Sequence, residues 1–269
     1  MIAFLSYKAL GSPNSNGNVN ISKTVDSFRA DLGALNANVA GSVGSGRREI
    51  NWDAVPDTFS APNNLPANFF NVNSPRGVVL STPGTGFQLS ATAASGTPVD
   101  FGNIDPSYTS LFAPFSAQRL FTALGSNITD VTFFIPGSST PAFTTGFGSV
   151  FSDVDAANVS SLQFFDATNA SLGTFFVPNT AGNETFSFLG VSFAGAVVSR
   201  VRITSGNQVL AAGNTALDLV VMDDFIYGEP RAASAGVPDA GSSALLLGLG
   251  LGGLIFGRWS KRETVRKTC

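Results

Sequence analysis

The chain of 269 residues has no histidine and a single cysteine, Cys269. Without histidine, Ser-His-Asp and Cys-His catalysis, histidine-ligated metals and histidine pH switches are excluded. A lone thiol makes no disulfide within the chain and leaves no CxxC or zinc-finger spacing. Charged residues are only 12%, too thin for the clustered Lys and Arg that nucleic-acid binding requires. No repeat of fixed period is visible. What is present is 24 Phe, 29 Gly and 14 Pro, a Phe-rich, turn-rich chain long enough to bury a sizeable core.

The charge is unevenly spread. The formal net charge of −3 hides Arg258, Lys261, Arg262, Arg266 and Lys267, with only Glu263 opposing them. Taking these six from the totals of 15 basic and 18 acidic residues leaves 10 against 17, a net of −7 for residues 1–257. Before the basic cluster, residues 240–257 contain no ionisable side chain and run Ala-Leu-Leu-Leu-Gly-Leu-Gly-Leu-Gly-Gly-Leu-Ile-Phe from Ala244. That length is at the short end of what spans a bilayer core of roughly 30 Å. Glycine is costly in a water-exposed helix, whereas small residues let membrane helices pack closely. A transmembrane helix over 240–257 is therefore expected, with Arg258, Lys261 and Arg262 as its cytoplasmic stop and the acidic body outside.

Immediately upstream stands Val237-Pro238-Asp239, followed by Ala-Gly-Ser-Ser and the Leu run. This order of a Val-Pro-acidic motif, a Gly/Leu-rich apolar stretch and an Arg/Lys cluster resembles the PEP-CTERM class of bacterial sorting signals, in its VPDSG-type variant. Ala240 stands where the variant usually has Ser or Gly, and the basic end is longer than usual. The resemblance covers about a tenth of the chain. It implies recognition by exosortase, a membrane cysteine protease/transpeptidase, with processing near Val237, Pro238 and Asp239. It also implies an exported protein of a Gram-negative-type bacterium, often one that makes exopolysaccharide. Residues 1–10 form a poor export signal, because the start is not basic and the apolar run breaks at Tyr7 and Lys8. An export signal upstream of Met1 is expected.

Between Val25 and Pro230, short β-prone runs alternate with Gly, Pro, Asn and Ser. Expected strands are 48–52, 77–82, 87–92, 129–135, 150–154, 161–165, 173–177, 185–193, 199–204 and 217–227. In Ser199-Arg-Val-Arg-Ile203 the arginines alternate with Val201 and Ile203. No helix longer than two turns is expected before Ala244. The predicted fold is all-β, an antiparallel sandwich of jelly-roll, galactose-binding-like or Ig-like type, with one C-terminal transmembrane helix. The expected divisions are a flexible segment 1–24, a sandwich body 25–230, a linker 231–236 and the sorting signal 237–269. The stretches 146–155 and 221–230 resemble the bodies of other PEP-CTERM proteins, and Asp223-Asp-Phe-Ile226 resembles the last strand of galactose-binding-like modules.

Few residues carry chemistry. Asp153 with Asp155, and Asp223 with Asp224, are the close carboxylate pairs of the body and the candidate ligands of a structural calcium. The alternative makes Asp153 and Asp155 turn caps and sends Asp223 and Asp224 to opposite faces of a strand. EF-hand spacing is absent. Glycoside hydrolysis needs two acids at a defined separation, and no acids here are singled out for it. Asp53, Asp57, Asp100 and Asp105 sit in turn contexts. Trp52 and Tyr108, with Arg, Asn or Asp nearby, are candidate sugar platforms, although Trp52 alternates with Ile50 as a core residue does. Gly41–Gly46 lacks the Lys-Ser/Thr ending of a phosphate loop and reads as flexible. The expected role is a non-enzymatic, exported surface or matrix protein. The alternative is a calcium-stabilised carbohydrate-binding module acting on exopolysaccharide.

Overall fold

A computed structural model describes residues 2–11, 21–216 and 218–232. The chain divides into two units, Met1–Ala232 and Ala233–Cys269. The Val237–Asp239 motif, the expected span 240–257 and the basic cluster Arg258, Lys261 and Arg262 lie outside the described residues. Among the described residues no helix is long and apolar enough to cross a membrane.

Among the described residues twelve strands occur in the order β1 (Phe4–Gly11), β2 (Arg47–Ile50), β3 (Val78–Ser81), β4 (Gly86–Leu89), β5 (Phe121–Leu124), β6 (Ile128–Phe133), β7 (Gly146–Ser152), β8 (Ser161–Phe165), β9 (Ser171–Phe176), β10 (Phe186–Phe193), β11 (Arg200–Thr204) and β12 (Val221–Gly228). Helix α1 (Ser22–Leu32) and the single turn α2 (Phe69–Val72) are the α-helical elements among the described residues. The larger sheet runs β1-β10-β7-β12-β5-β4, and β2 also pairs with β12. The smaller runs β3-β6-β11-β8-β9. Every pairing between these strands is antiparallel. The all-β, sandwich-like expectation holds.

In β11 the predicted alternation is seen. Val201 and Ile203 are fully buried, while Arg200 and Arg202 reach Asp130 of the neighbouring β6 at 2.6 and 2.8 Å. Strands β7, β10 and β12 do not alternate, for every residue is buried. The reason is a cover on each face. Phe147, Phe151, Leu189, Val191, Phe225 and Tyr227 join the core shared with the smaller sheet. Val150, Phe186, Phe188 and Ile226 face α1 instead.

Helix α1 corrects the expectation of no helix before Ala244. Val25, Phe28 and Leu32 are its buried residues, spaced to form one apolar stripe. Its N-cap has no side-chain bond, and it ends where Gly33, at φ +99°, donates its N–H to Arg29 O. Phe28 lies over Gly148 and Gly190, partners across β7 and β10. A Cβ at either glycine would come within 2.9 Å of the Phe28 ring, so the pair makes the hollow that seats α1. Strand β1 corrects the flexible 1–24 segment in part, since Phe4–Gly11 pairs with β10 through eight positions. Arg231, expected in a linker, still bridges to Phe143.

Gly41–Gly46, expected to be flexible, is tied down. Arg48 is fully buried and its partner Glu229 nearly so. The guanidinium donates to both Glu229 oxygens, at 2.7 and 2.9 Å. It also donates to the carbonyls of Val39, Gly41 and Pro75, while Glu229 accepts from Val43 N and Asn36 Nδ2. Such a bidentate, fully hydrogen-bonded pair meets the conditions for a charge in a protein interior.

Candidate functional site

The carboxylate pairs do not come together as one cation site. A register shift in β12 between Met222 and Phe225 overrides the opposite-face reading of Asp223 and Asp224, and both reach the Ser116 hydroxyl, at 3.2 and 2.8 Å. Phe115 N and Ser116 N donate to Asp223, and Arg29 of α1 donates to Asp224 at 3.3 Å. Burial, then the charge of Asp224, raises Asp223 well above the usual carboxylate range. These oxygens are committed to holding α1 and the 115–116 loop on β12.

Asp153 and Asp155 lie instead beside Asp218. Asp155 N donates to Asp218 Oδ1 at 2.9 Å, and Gly182 N donates to Asp155 Oδ1, so Asp155 does act in a turn. Asp153 Oδ1 and Asp218 Oδ2 are buried without hydrogen-bond partners. Among the described residues, no group of three or more His, Cys, Asp or Glu side chains is placed to hold a metal.

Burial, then the charges of Asp155 and Asp218, pushes Asp153 up to about 8. An acid with a folded pKa above its unfolded value of ~3.9 binds its proton more tightly when folded. Its contribution is then full below about pH 4 and lost as pH rises towards 8. Asparagine keeps a neutral group of similar shape and tolerates the left-handed φ of +71° found there. In the presence of a chelator, Tm of the unmodified chain is expected to fall between about pH 4 and about pH 8. Asp153→Asn should remove the part of that fall worth about 2 kcal/mol, the shift being discounted for solvent screening. Parallel pH profiles of the two proteins would overturn this assignment.

Neither aromatic candidate is an open platform. Tyr108 is fully buried; its one hydroxyl proton is within reach of the carbonyls of Ala211 and Asn214, at 2.9 and 2.8 Å, and its oxygen accepts from Ala211 N. Asp105 caps the same turn through Ser107 N. Trp52 is 1% exposed. Its ring stacks on Phe121 at 4.6 Å and meets Phe70 and Phe225 edge-on, as its alternation with Ile50 suggests.

Trp52 nevertheless forms part of the lining of a cavity of about 370 Å³, with Phe59, Phe69 and Phe70, and with Asn51, Asn73, Ser74 and Arg76. The 51–59 segment after β2 and the α2 turn make its walls. Two donors in this lining lack partners, Trp52 Nε1 and Arg76 Nε, both buried. Arg76 sits over the Phe70 ring at 5.2 Å and makes no ion pair with the described residues. Burial, then the charge of Arg48, holds its pKa below the usual arginine value. Sequence reasoning missed this arginine, because Pro75-Arg-Gly77 matches no motif. A second cavity, of about 460 Å³, is lined by Phe4, Leu5, Leu32, Phe193, Glu229 and Arg231 among others. Its charges are Asp31, Glu229 and Arg231: Glu229 holds Arg48, Arg231 donates to Gly44 O, and Asp31 lies at the Tyr7 hydroxyl.

The fold therefore defines a two-sheet, all-β protein with one uncommitted cation in an aromatic-lined cavity. No protein-family model and no curated protein matches the chain. A solved structure of the enzymatically active domain of bacteriophage CBA120 tailspike protein 4 is similar over 65% of this chain and 22% of that chain, at 16% identity and a TM-score of 0.28.

Proposed function

We propose that this chain is an exported bacterial surface or matrix protein, sorted through a C-terminal exosortase signal and without enzymatic activity. The observation that carries the reading is the order of Val237-Pro238-Asp239, the uncharged stretch 240–257 and a cluster containing Arg258, Lys261 and Arg262. The apolar stretch would hold the protein in the inner membrane in transit, and processing would free the body to the surface. A jelly-roll or galactose-binding-like arrangement of the two sheets is the finer fold that suits such a body. The sparse ionisable groups support a structural role, since Arg48, Glu229, Asp223 and Asp224 are engaged in holding elements together. The test is deletion of 237–269 in the producing cell, followed by fractionation and mass spectrometry. The full chain is expected to mature near Val237–Asp239 and reach the surface, and the deletion to block both. Normal maturation and surface display of the deleted chain would defeat the sorting assignment.

A second reading, a carbohydrate-binding module acting within exopolysaccharide, is favoured by the unpaired Arg76 in its aromatic cavity. The calcium in that reading would fall to Asp153 and Asp218 rather than to Asp223 and Asp224. A rise in Tm with calcium that Asp153→Asn abolishes supports that calcium site, and no rise removes the calcium while the glycan-binding reading continues to rest on Arg76.

A further inference from the structure

We infer that the cavity at Arg76 binds one uronate unit, a carboxylated sugar residue of an acidic polysaccharide, with Arg76 pairing the carboxylate. The inference rests on the glycan-binding reading and gives it a site and a ligand class. Its volume of about 370 Å³ falls within the ~300–1,000 Å³ of small-molecule sites.

The chemistry of the lining narrows the ligand. Arg76 lines the cavity with no acid paired to it among the described residues; its Nε and Trp52 Nε1 are enclosed in the walls, so the terminal guanidinium nitrogens are what it offers a ligand. A guanidinium presents a planar fork that matches a carboxylate. A neutral sugar would leave that charge unpaired. A phosphate, with more negative charge, would meet only this one cation in the lining. The rings of Phe59 and Phe69 offer apolar surface to the C–H face of a pyranose, and Asn51 and Asn73 are exposed at the rim with side-chain amides suited to hydroxyls. Residues 1–257, at −7, repel polyanions at a distance. Binding must come from this local contact, and its salt dependence should be shallow.

The full chain titrated by calorimetry with a trigalacturonate, with neutral maltotriose as the comparison, tests the site. The uronate oligomer is expected to bind and maltotriose not. Arg76→Gln should weaken binding tenfold or more, with circular dichroism reporting whether the variant stays folded. Asn73→Ala, at an exposed position that leaves the core intact, should weaken it several-fold and keeps the test decisive if Arg76→Gln unfolds. No uronate binding overturns the site, as does binding that neither variant weakens or equal competition by benzoate. Neutral-oligosaccharide binding unchanged in both variants overturns this site but leaves the glycan-binding reading standing. No binding of any polysaccharide overturns both.

Discussion

Glu229→Ala is expected to lower folding stability by about 3–5 kcal/mol, read as a drop in the urea midpoint at constant slope. Arg48 has no exposure to water, so removing its partner leaves a desolvated guanidinium with only the carbonyls of Val39, Gly41 and Pro75 as acceptors. Val43 N loses its acceptor and Asn36 Nδ2 keeps only Ser45 O, so the 41–46 loop should become more open to protease cleavage. The double variant Arg48→Met, Glu229→Leu is expected to recover much of the loss, because no charge then stays buried. A cost below about 1 kcal/mol for Glu229→Ala would mean that water reaches Arg48.

The second large effect belongs to Trp52→Ala, at about 3–5 kcal/mol. The indole is packed between Phe121, Phe70 and Phe225, with centroids at 4.6, 5.4 and 4.9 Å. Its removal opens a void between the larger sheet and the α2 turn that these rings cannot fill without leaving their rotamers. Trp52 also sits at φ +67°, a left-handed conformation costly for a bulky side chain. Alanine inherits that strain without the packing that offsets it. The chain has two tryptophans, so unfolding should be followed by circular dichroism rather than fluorescence. A loss under about 1 kcal/mol would show that the indole is not a core element.

Regular alternation and turn chemistry were the legible parts of the fold. Strand β8 has the predicted bounds Ser161–Phe165, and β11 differs by one residue from 199–204. Strand β1 was hidden because it lies at a sheet edge, where Phe4, Leu5 and Leu10 remain exposed and Lys8 interrupts the apolar run. Helix α1 had a stripe at Val25, Phe28 and Leu32, but no side-chain cap marks its start. Strand β5 has only four residues, too few for a period to show. At the candidate site, the core reading of Trp52 followed from its alternation with Ile50. The fates of Asp223 and Asp224 did not, because the shift in β12 is set by its neighbours. Arg76 was illegible for a different reason. Its importance lies in having no acid beside it, a property of the assembled walls rather than of its sequence neighbours.

The place of β12 has a consequence in time. This strand ends at Gly228, yet it lies in the middle of the larger sheet, with β7 on one edge and β5 and β2 on the other. β2 lies some 175 residues earlier, and β1 waits similarly for β10. Pairings so far apart in the chain form slowly. A ribosome adding ~5–20 residues per second must deliver nearly the whole body before its central strand exists. Until then Arg48 has no Glu229, and the half-made sandwich has no middle. The larger sheet is thus completed last from its centre, after the strands on both sides of β12 have been made.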